Sequence, residues 1–319
     1  MVGLRRTTRV VCLYSSFVVA LANVDEMRRW LGRSTNWIGV SRLRLPTLDI
    51  EHRRRSGAWL AYEAKNLMLE ESPDDAMIQL AAAEALLKWI RQSTNGNFLR
   101  VESGVVKTGD SPSSRKIWKR HASEALRLLR LAEVHALECP SVDDAKYFFL
   151  VAEANTYCSS AKGVLRAAVQ ADALTFKRHV GPLTTQYPKY QGGVGHIFMG
   201  AFHLAAPWPV YNLSKAQAHF DEALKIDPLS RRNHYCQGLA ALETGNIADA
   251  CSSFRKCIRC RPRSPEEEDV GDFFMTQSRK ALSLLESGAG PGRKPSTSCV
   301  QHKLEQFMER LAPGKLKHR

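Results

Sequence analysis

Four residue pairs constrain the fold of this chain more tightly than anything else in it. Ala216 and Ala250, Phe220 and Phe254, Ala223 and Cys257, and Pro228 and Pro262 are each separated by 34 positions. A register that holds through four pairs marks two copies of one unit. Periods of about 20–50 residues belong to arrays in which each unit buries its apolar side against the next. The residue types suit their places. Small side chains at the first and third positions let one helix press close against another, the Phe fills the space between units, and the Pro sets the exit turn. In the second unit, residues 231–264, Gly238 supplies a close helix crossing and Gly245 the turn between helices. The preceding unit, residues 193–230, fits with Gly200 in the place of Gly238, leaving a few extra residues around Ala206-Pro207-Trp208-Pro209.

From Ser56 onward apolar residues recur at three- and four-residue spacing, which is the helical period. Helices are predicted at about 57–70, 74–94, 116–137, 142–157, 161–185, 194–205, 213–226, 231–244, 247–260, 265–286 and 300–312, and no strands are expected. Asp74 and Asp75 mark one start and Ser141 before Asp143 another. Ser264-Pro265-Glu266-Glu267 combines an N-cap, a Pro at the first helical position and a capping-box Glu. Asn95-Gly96, Pro140, Gly181-Pro182, Gly245 and Gly288 mark stops. Residues 97–114, with Gly104, Gly109, Ser111 and Pro112, read as a mobile loop, and 287–298 as a linker. The hairpins 57–70/74–94 and 142–157/161–185 have similar size without the four-residue signature and read as degenerate units of a stack that needs about three or more to close a core. The chain thus divides into a targeting or membrane-anchor segment 1–24, a basic linker 25–56, an all-α helical repeat domain 57–288, and a linker with a basic C-terminal helix and tail 289–319.

The net charge of +14 belongs to the ends. Residues 1–56 hold eleven Lys and Arg against four Asp and Glu, residues 289–319 hold seven against two, and the body is near balance with twenty-eight against twenty-six. The uncharged run Val10–Val24 follows Arg5, Arg6 and Arg9. It is short for a membrane span, which takes about 20 residues. It has signal-peptide proportions with an Ala20-Leu21-Ala22 cleavage candidate, and the Arg and Ser pattern that continues to Arg44 also suits a mitochondrial transit segment. The mitochondrial reading is preferred, with a membrane anchor facing the cytoplasm and a secretory signal as alternatives. Eight cysteines, at positions 12, 139, 158, 236, 251, 257, 260 and 299, are too few for a secreted disulfide framework and read as small apolar fillers in a reducing compartment.

The 34-residue period and its Gly, Ala, Phe and Pro places resemble the tetratricopeptide repeat, a helix-turn-helix unit that stacks into an α-solenoid. Within that superfamily, residues Tyr147 to Leu285 resemble the regulator of microtubule dynamics family. The resemblance rests on Tyr187-Pro188 and Gly192-Gly193 leading to a helix that ends Leu204-Ala205-Ala206-Pro207, and on the long helix after Pro262 opened by Ser264-Pro265-Glu266-Glu267-Glu268-Asp269. It implies a non-enzymatic adaptor, in some members anchored near the N-terminus and associated with microtubules or organelle contacts. In such a stack the first helix of each unit lines a concave face. The residues expected to face a partner there are Arg232, Tyr235, Leu239, Leu242 and Glu243, joined by Ile197, Ala201 and Leu204 from the previous unit. Repeat domains that grip chaperone C-termini place Lys and Asn in the corresponding groove. Tyr235 and Leu239 stand in two of those places, which speaks against a carboxylate clamp. An apolar groove suits an amphipathic helix, from a partner protein or from residues 300–312 of this chain.

The remaining motifs favour structure over chemistry. Cys257-Ile258-Arg259-Cys260 is the one CxxC, and no second ligand pair follows at zinc spacing, so packing is preferred over metal binding. His196 and His203, seven apart, share a helix face without a carboxylate partner. Gly192-Gly193-Val194-Gly195 precedes a helix but follows no strand, so a flexible hinge is preferred over a phosphate cradle. Asp272-Phe273-Phe274 faintly resembles docking motifs for endoplasmic-reticulum receptors, yet both Phe residues sit in an amphipathic helix and read as core. No GxSxG, HExxH or carboxylate constellation nominates a reaction, and no cofactor or small-molecule substrate is expected. Arg53-Arg54-Arg55 and Lys315–Arg319 could neutralise phosphates, tubulin's acidic surface or an anionic membrane. The near-neutral body without aromatic interleaving speaks against nucleic-acid recognition. The preferred reading is a protein-binding scaffold, and the alternative a mitochondrial RNA-associated or ribonucleoprotein assembly factor.

Overall fold

A computed structural model of the chain describes residues 56–136, 143–162, 172–206 and 210–287. The targeting segment, most of the basic linker, the C-terminal helix at 300–312, Pro140, Ser141, Gly288 and Pro207–Pro209 lie outside the described residues. Ten α-helices are present among the described residues: α1 (Ser56–Glu71), α2 (Ala76–Thr94), α3 (Pro112–Ala136), α4 (Asp144–Lys162), α5 (Asp172–Thr185), α6 (Val194–Ala205), α7 (Leu213–Ile226), α8 (Arg231–Glu243), α9 (Ile247–Arg259) and α10 (Pro265–Glu286). The protein is thus mainly helical. Local chemistry sets the ends. Asp75 accepts from Met77 N and Ile78 N, Asn212 from Lys215 N, Ser230 from Asn233 N and Asn246 from Asp249 N, which satisfies amide groups that a first turn leaves unpaired. Asn95 and Gly96 both adopt left-handed backbone, and Gly96 N returns to Arg91 O to close α2.

Each helix packs on the helix before it and the helix after it, and α2–α4, α6–α8 and α8–α10 add second-neighbour contacts. Apolar side chains therefore form two continuous cores. One is built on α1–α5 around Leu86, Leu87, Ile90, Trp118 and Leu150, and the other on α6–α10 around Phe220, Tyr235, Phe254 and Phe274. Burying each such Leu, Ile or Phe is worth about 1.5–3 kcal/mol. The chain also curls back on itself, because α10 packs against α2. Lys88, Arg91 and Gln92 of α2 all reach Asp269 of α10, Gln92 Nε2 donating to it at 2.8 Å.

The four-pair register appears as one contact made twice. A Cβ added to Gly238 would sit 2.6 Å from Cε1 of Phe254, and one added to Gly200 would sit closer still to the Phe220 ring. No side chain fits either gap. Ala216, Ala223, Ala250 and Cys257 are all fully buried. Gly245 turns the chain between α8 and α9 at φ 77. Helices α7 and α9 each end shortly before their Pro, at Pro228 and Pro262.

Several expectations require correction. Residues 97–114 are not a loop throughout, for Arg100–Glu102 (β1) and Val105–Lys107 (β2) pair as an antiparallel hairpin. Ser103 and Gly104 both have positive φ, as a two-residue hairpin turn demands, and Val101 is buried. Ser111 caps α3, its hydroxyl accepting from Ser114 N, and Pro112 occupies the first helical position. Asp143, whose carboxylate accepts from Lys146 N, caps α4. Pro182 does not stop α5, which continues to Thr185. Ser264 caps α10, its Oγ accepting from Glu267 N at 3.2 Å, but the return bond of the box is displaced by one residue. The Glu267 carboxylate accepts from Arg263 N at 2.8 Å, and from Arg232 N and the Ser230 hydroxyl, tying α10 to the start of α8.

Candidate functional site

The eight residues expected on the concave face do not form an open groove. Tyr235, Leu239, Leu242, Ile197 and Leu204 are buried, and Arg232 is 2% exposed. Part of the cover is the hairpin, which packs on α8 and α10. Tyr235 Oη donates to Leu99 O at 2.7 Å, just before β1, and Val106 N of β2 donates to Glu243 Oε1 at 3.2 Å. Burial raises the Glu243 carboxyl above its ordinary range. Glu243 thus faces this chain's own hairpin, and Leu242 is buried in the second core.

The other part of that face opens into a cavity of about 380 Å³. Five of the eight residues line it, namely Arg232, Tyr235, Leu239, Ile197 and Ala201, whereas Leu204, Leu242 and Glu243 do not. The opposite wall comes from the first half of the chain through Phe149, Glu153 and Tyr157 on α4 and Phe176 on α5, with Phe98 and Leu99 closing one side. The curl that brings α10 back to α2 creates the enclosure. Most of the wall is aromatic or aliphatic. Phe176 stacks on Phe202 at 5.0 Å between centroids, and Phe149 lies 6.1 Å from Phe198.

One end of the cavity is polar. Arg91 Nη1 meets Glu153 Oε2 at 2.5 Å, Arg91 Nη2 meets Asp269 Oδ2 at 3.2 Å, and Tyr157 Oη donates to Glu153 Oε1 at 3.0 Å. Burial alone would pull the Arg91 guanidinium down, but Glu153, Tyr157, Glu266 and Asp269 hold it well above its usual value, so it stays charged. Burial drives the Tyr157 phenol well up, so it remains a neutral donor. Cys236 also lines the wall, and burial pushes its thiol up to about 12. It is a poor nucleophile there, since the thiolate is the reactive form. Arg232 Nη2 donates to Gln191 O at 2.5 Å, while Arg232 Nε, Glu266 Oε2 and Asn97 Oδ1 are buried without a hydrogen-bond partner. The arrangement suits holding an apolar body against a few fixed polar groups.

Sequence reasoning missed Arg91, Glu153 and Asp269. A signal was present for two of them, because Arg91 and Glu153 each interrupt an apolar run, "LLKWIRQ" and "FFLVAEANTY". Their pairing across 62 residues had no local signature.

The remaining candidates settle into structural places. Cys257 is fully buried with Sγ 3.8 Å from Phe274 O, and burial pushes its thiol up to about 12. Phe274 is fully buried and Phe273 packs on Tyr235, so both serve the core. His196 pairs with His219 of α7, Nδ1 to Nδ1 at 3.1 Å, and His203 Nδ1 lies 3.2 Å from Val210 O. The glycine run is closely packed. Gly192 and Gly193 adopt φ 65 and 86, and Asn233 Nδ2 donates to Gly192 O at 2.9 Å. A Cβ on Gly195 would meet the Leu183 backbone at 2.6 Å. Among the described residues no group of three or more His, Cys, Asp or Glu could hold a metal, and no helix is long and apolar enough to cross a membrane. No family model matches the chain, and no curated protein matches it.

Proposed function

We propose that this chain is a non-catalytic adaptor of the tetratricopeptide type that binds other proteins. The observation that carries the reading is the repeated closure of Gly200 on Phe220 and Gly238 on Phe254, the two Phe residues being 34 positions apart and the two Gly residues 38. It is supported by the sequential packing of all ten described helices, as expected where each hairpin shields its neighbour. The wall chemistry favours binding over reaction, since Arg91 and Glu153 are paired with each other, and burial raises the Tyr157 phenol and the Cys236 thiol.

Because the hairpin covers part of the inner face, partner contact belongs on an outer surface. Leu67, Met77 and Val134 are exposed apolar side chains at one end of α1, α2 and α3. That end is held together by Gln79 Nε2 at 3.0 Å from His135 Nδ1 and by His135 near Asp74. Association with microtubules, or residence at a mitochondrion or other organelle, rests on the family resemblance and the basic ends, and forms part of the same proposal.

Proximity labelling and crosslinking of the full chain test it. Labelled neighbours should be proteins retained with modest salt dependence, lost in the Leu67→Ser/Met77→Ser/Val134→Ser variant at unchanged helicity, and shifted in compartment when residues 1–56 are removed. RNA crosslinks with a steep salt slope would instead favour an assembly factor on RNA.

A further inference from the structure

The cavity is the feature that an adaptor role leaves unused. We infer that it is a binding site for a neutral amphiphile, an apolar body ending in a hydroxyl, such as a long-chain or isoprenoid alcohol. Size comes first. A volume of about 380 Å³ falls in the range of small-ligand sites, roughly 300–1,000 Å³.

The wall selects the body. Phe98, Phe149, Phe176, Phe198 and Phe202 surround the space with Ile197, Ala201 and Leu239, and several of these rings are only partly buried. An apolar ligand there removes their surface from water at about 25 cal/mol per Å².

Charge balance selects the head. The wall carries two cations, Arg91 and Arg232, and two carboxylates, Glu153 and Glu266, while Asp269 behind Arg91 is shared with Lys88, so the charges balance. An anionic head would add an unbalanced charge to a buried, already neutralised set, and an ammonium head would do the same with opposite sign. The unpartnered atoms agree. Arg232 Nε, a donor, and Glu266 Oε2 and Asn97 Oδ1, both acceptors, are buried without a partner on residues that line the cavity, one side-chain adjustment from its space. A hydroxyl both accepts and donates, whereas a carboxylate only accepts and an ammonium only donates.

The inference stands apart from protein recruitment, so either can fail alone. Its test uses the purified full chain with tritiated hexadecanol and tritiated palmitate, matched in length and differing in head charge. Neutral N-phenyl-1-naphthylamine serves as a displaceable fluorescent probe. Hexadecanol should bind at one per chain, displace the probe, and bind at least tenfold more tightly than palmitate at neutral pH. Ala201→Trp fills the cavity and should abolish binding at unchanged helicity, and Ala205→Phe provides a second filled cavity should the first variant lose helicity. Equal or tighter binding of palmitate would overturn the neutral head. Failure of hexadecanol to displace the probe, or unchanged binding in a folded cavity-filling variant, would overturn the site.

Discussion

At the scale of single residues, the fold depends on two absent side chains. Gly238 and Gly200 let α8 and α6 approach Phe254 and Phe220 so closely that a methyl group has no room. Gly238→Ala should therefore lower stability in urea unfolding by about 1–3 kcal/mol, as overpacking of a filled core does, although Ala favours helix elsewhere. Adding Phe254→Leu should recover part of the loss, because the ring is the obstacle. Recovery distinguishes steric conflict from a change in backbone freedom. These glycines were legible in the sequence because their partners recur at fixed offsets. Arg91 and Glu153 were legible only as oddities, since nothing local says which carboxylate a buried guanidinium will meet.

At the scale of elements, the helices follow from period and capping, and most predicted boundaries lie within a few residues of those observed. The hairpin at β1 and β2 escaped because three-residue strands carry too little alternation to stand out beside Gly and Ser, and their pairing surface is supplied by distant Tyr235 and Glu243. The α6/α7 pair makes a prediction of its own. Burial, with His196 and His203 adding to it, lowers the His219 pKa to about 4. A base depressed in the folded state binds fewer protons than in the unfolded chain between about pH 6.5 and 4, so its contribution is complete above the upper value and lost on acidification through that window. His219→Gln should flatten the pH dependence of unfolding free energy there. Discounted for partial exposure, the difference is on the order of 1–2 kcal/mol.

At the scale of the molecule, the seam between α2 and α10 decides the shape. Arg91 on α2 faces Glu153 on α4 and Asp269 on α10, so one buried guanidinium ties three helices that lie up to 178 positions apart. Arg91→Met leaves the buried Glu153 without its cation and Asp269 with Lys88 alone. A loss of about 3–5 kcal/mol is expected, as when one partner of a buried pair is removed. Hydrogen exchange should rise first along α10 and α2 rather than in the α8/α9 hairpin. Uniform loss of protection would show that the seam is not a separate unit of stability. The same seam encloses the cavity, so the variant should also weaken hexadecanol binding.

The sequence alone determined that the body is helical, where most helices begin and end, and that two consecutive hairpins share one Gly, Ala and Phe packing pattern. These are properties of short windows, fixed by helical period, caps and steric room. Only the tertiary structure decided that the inner face is partly sealed by the chain's own hairpin and that the remainder is a cavity. It also decided which buried charges find each other. Those outcomes depend on contacts between segments far apart in the chain, such as α10 on α2, and no single segment encodes them.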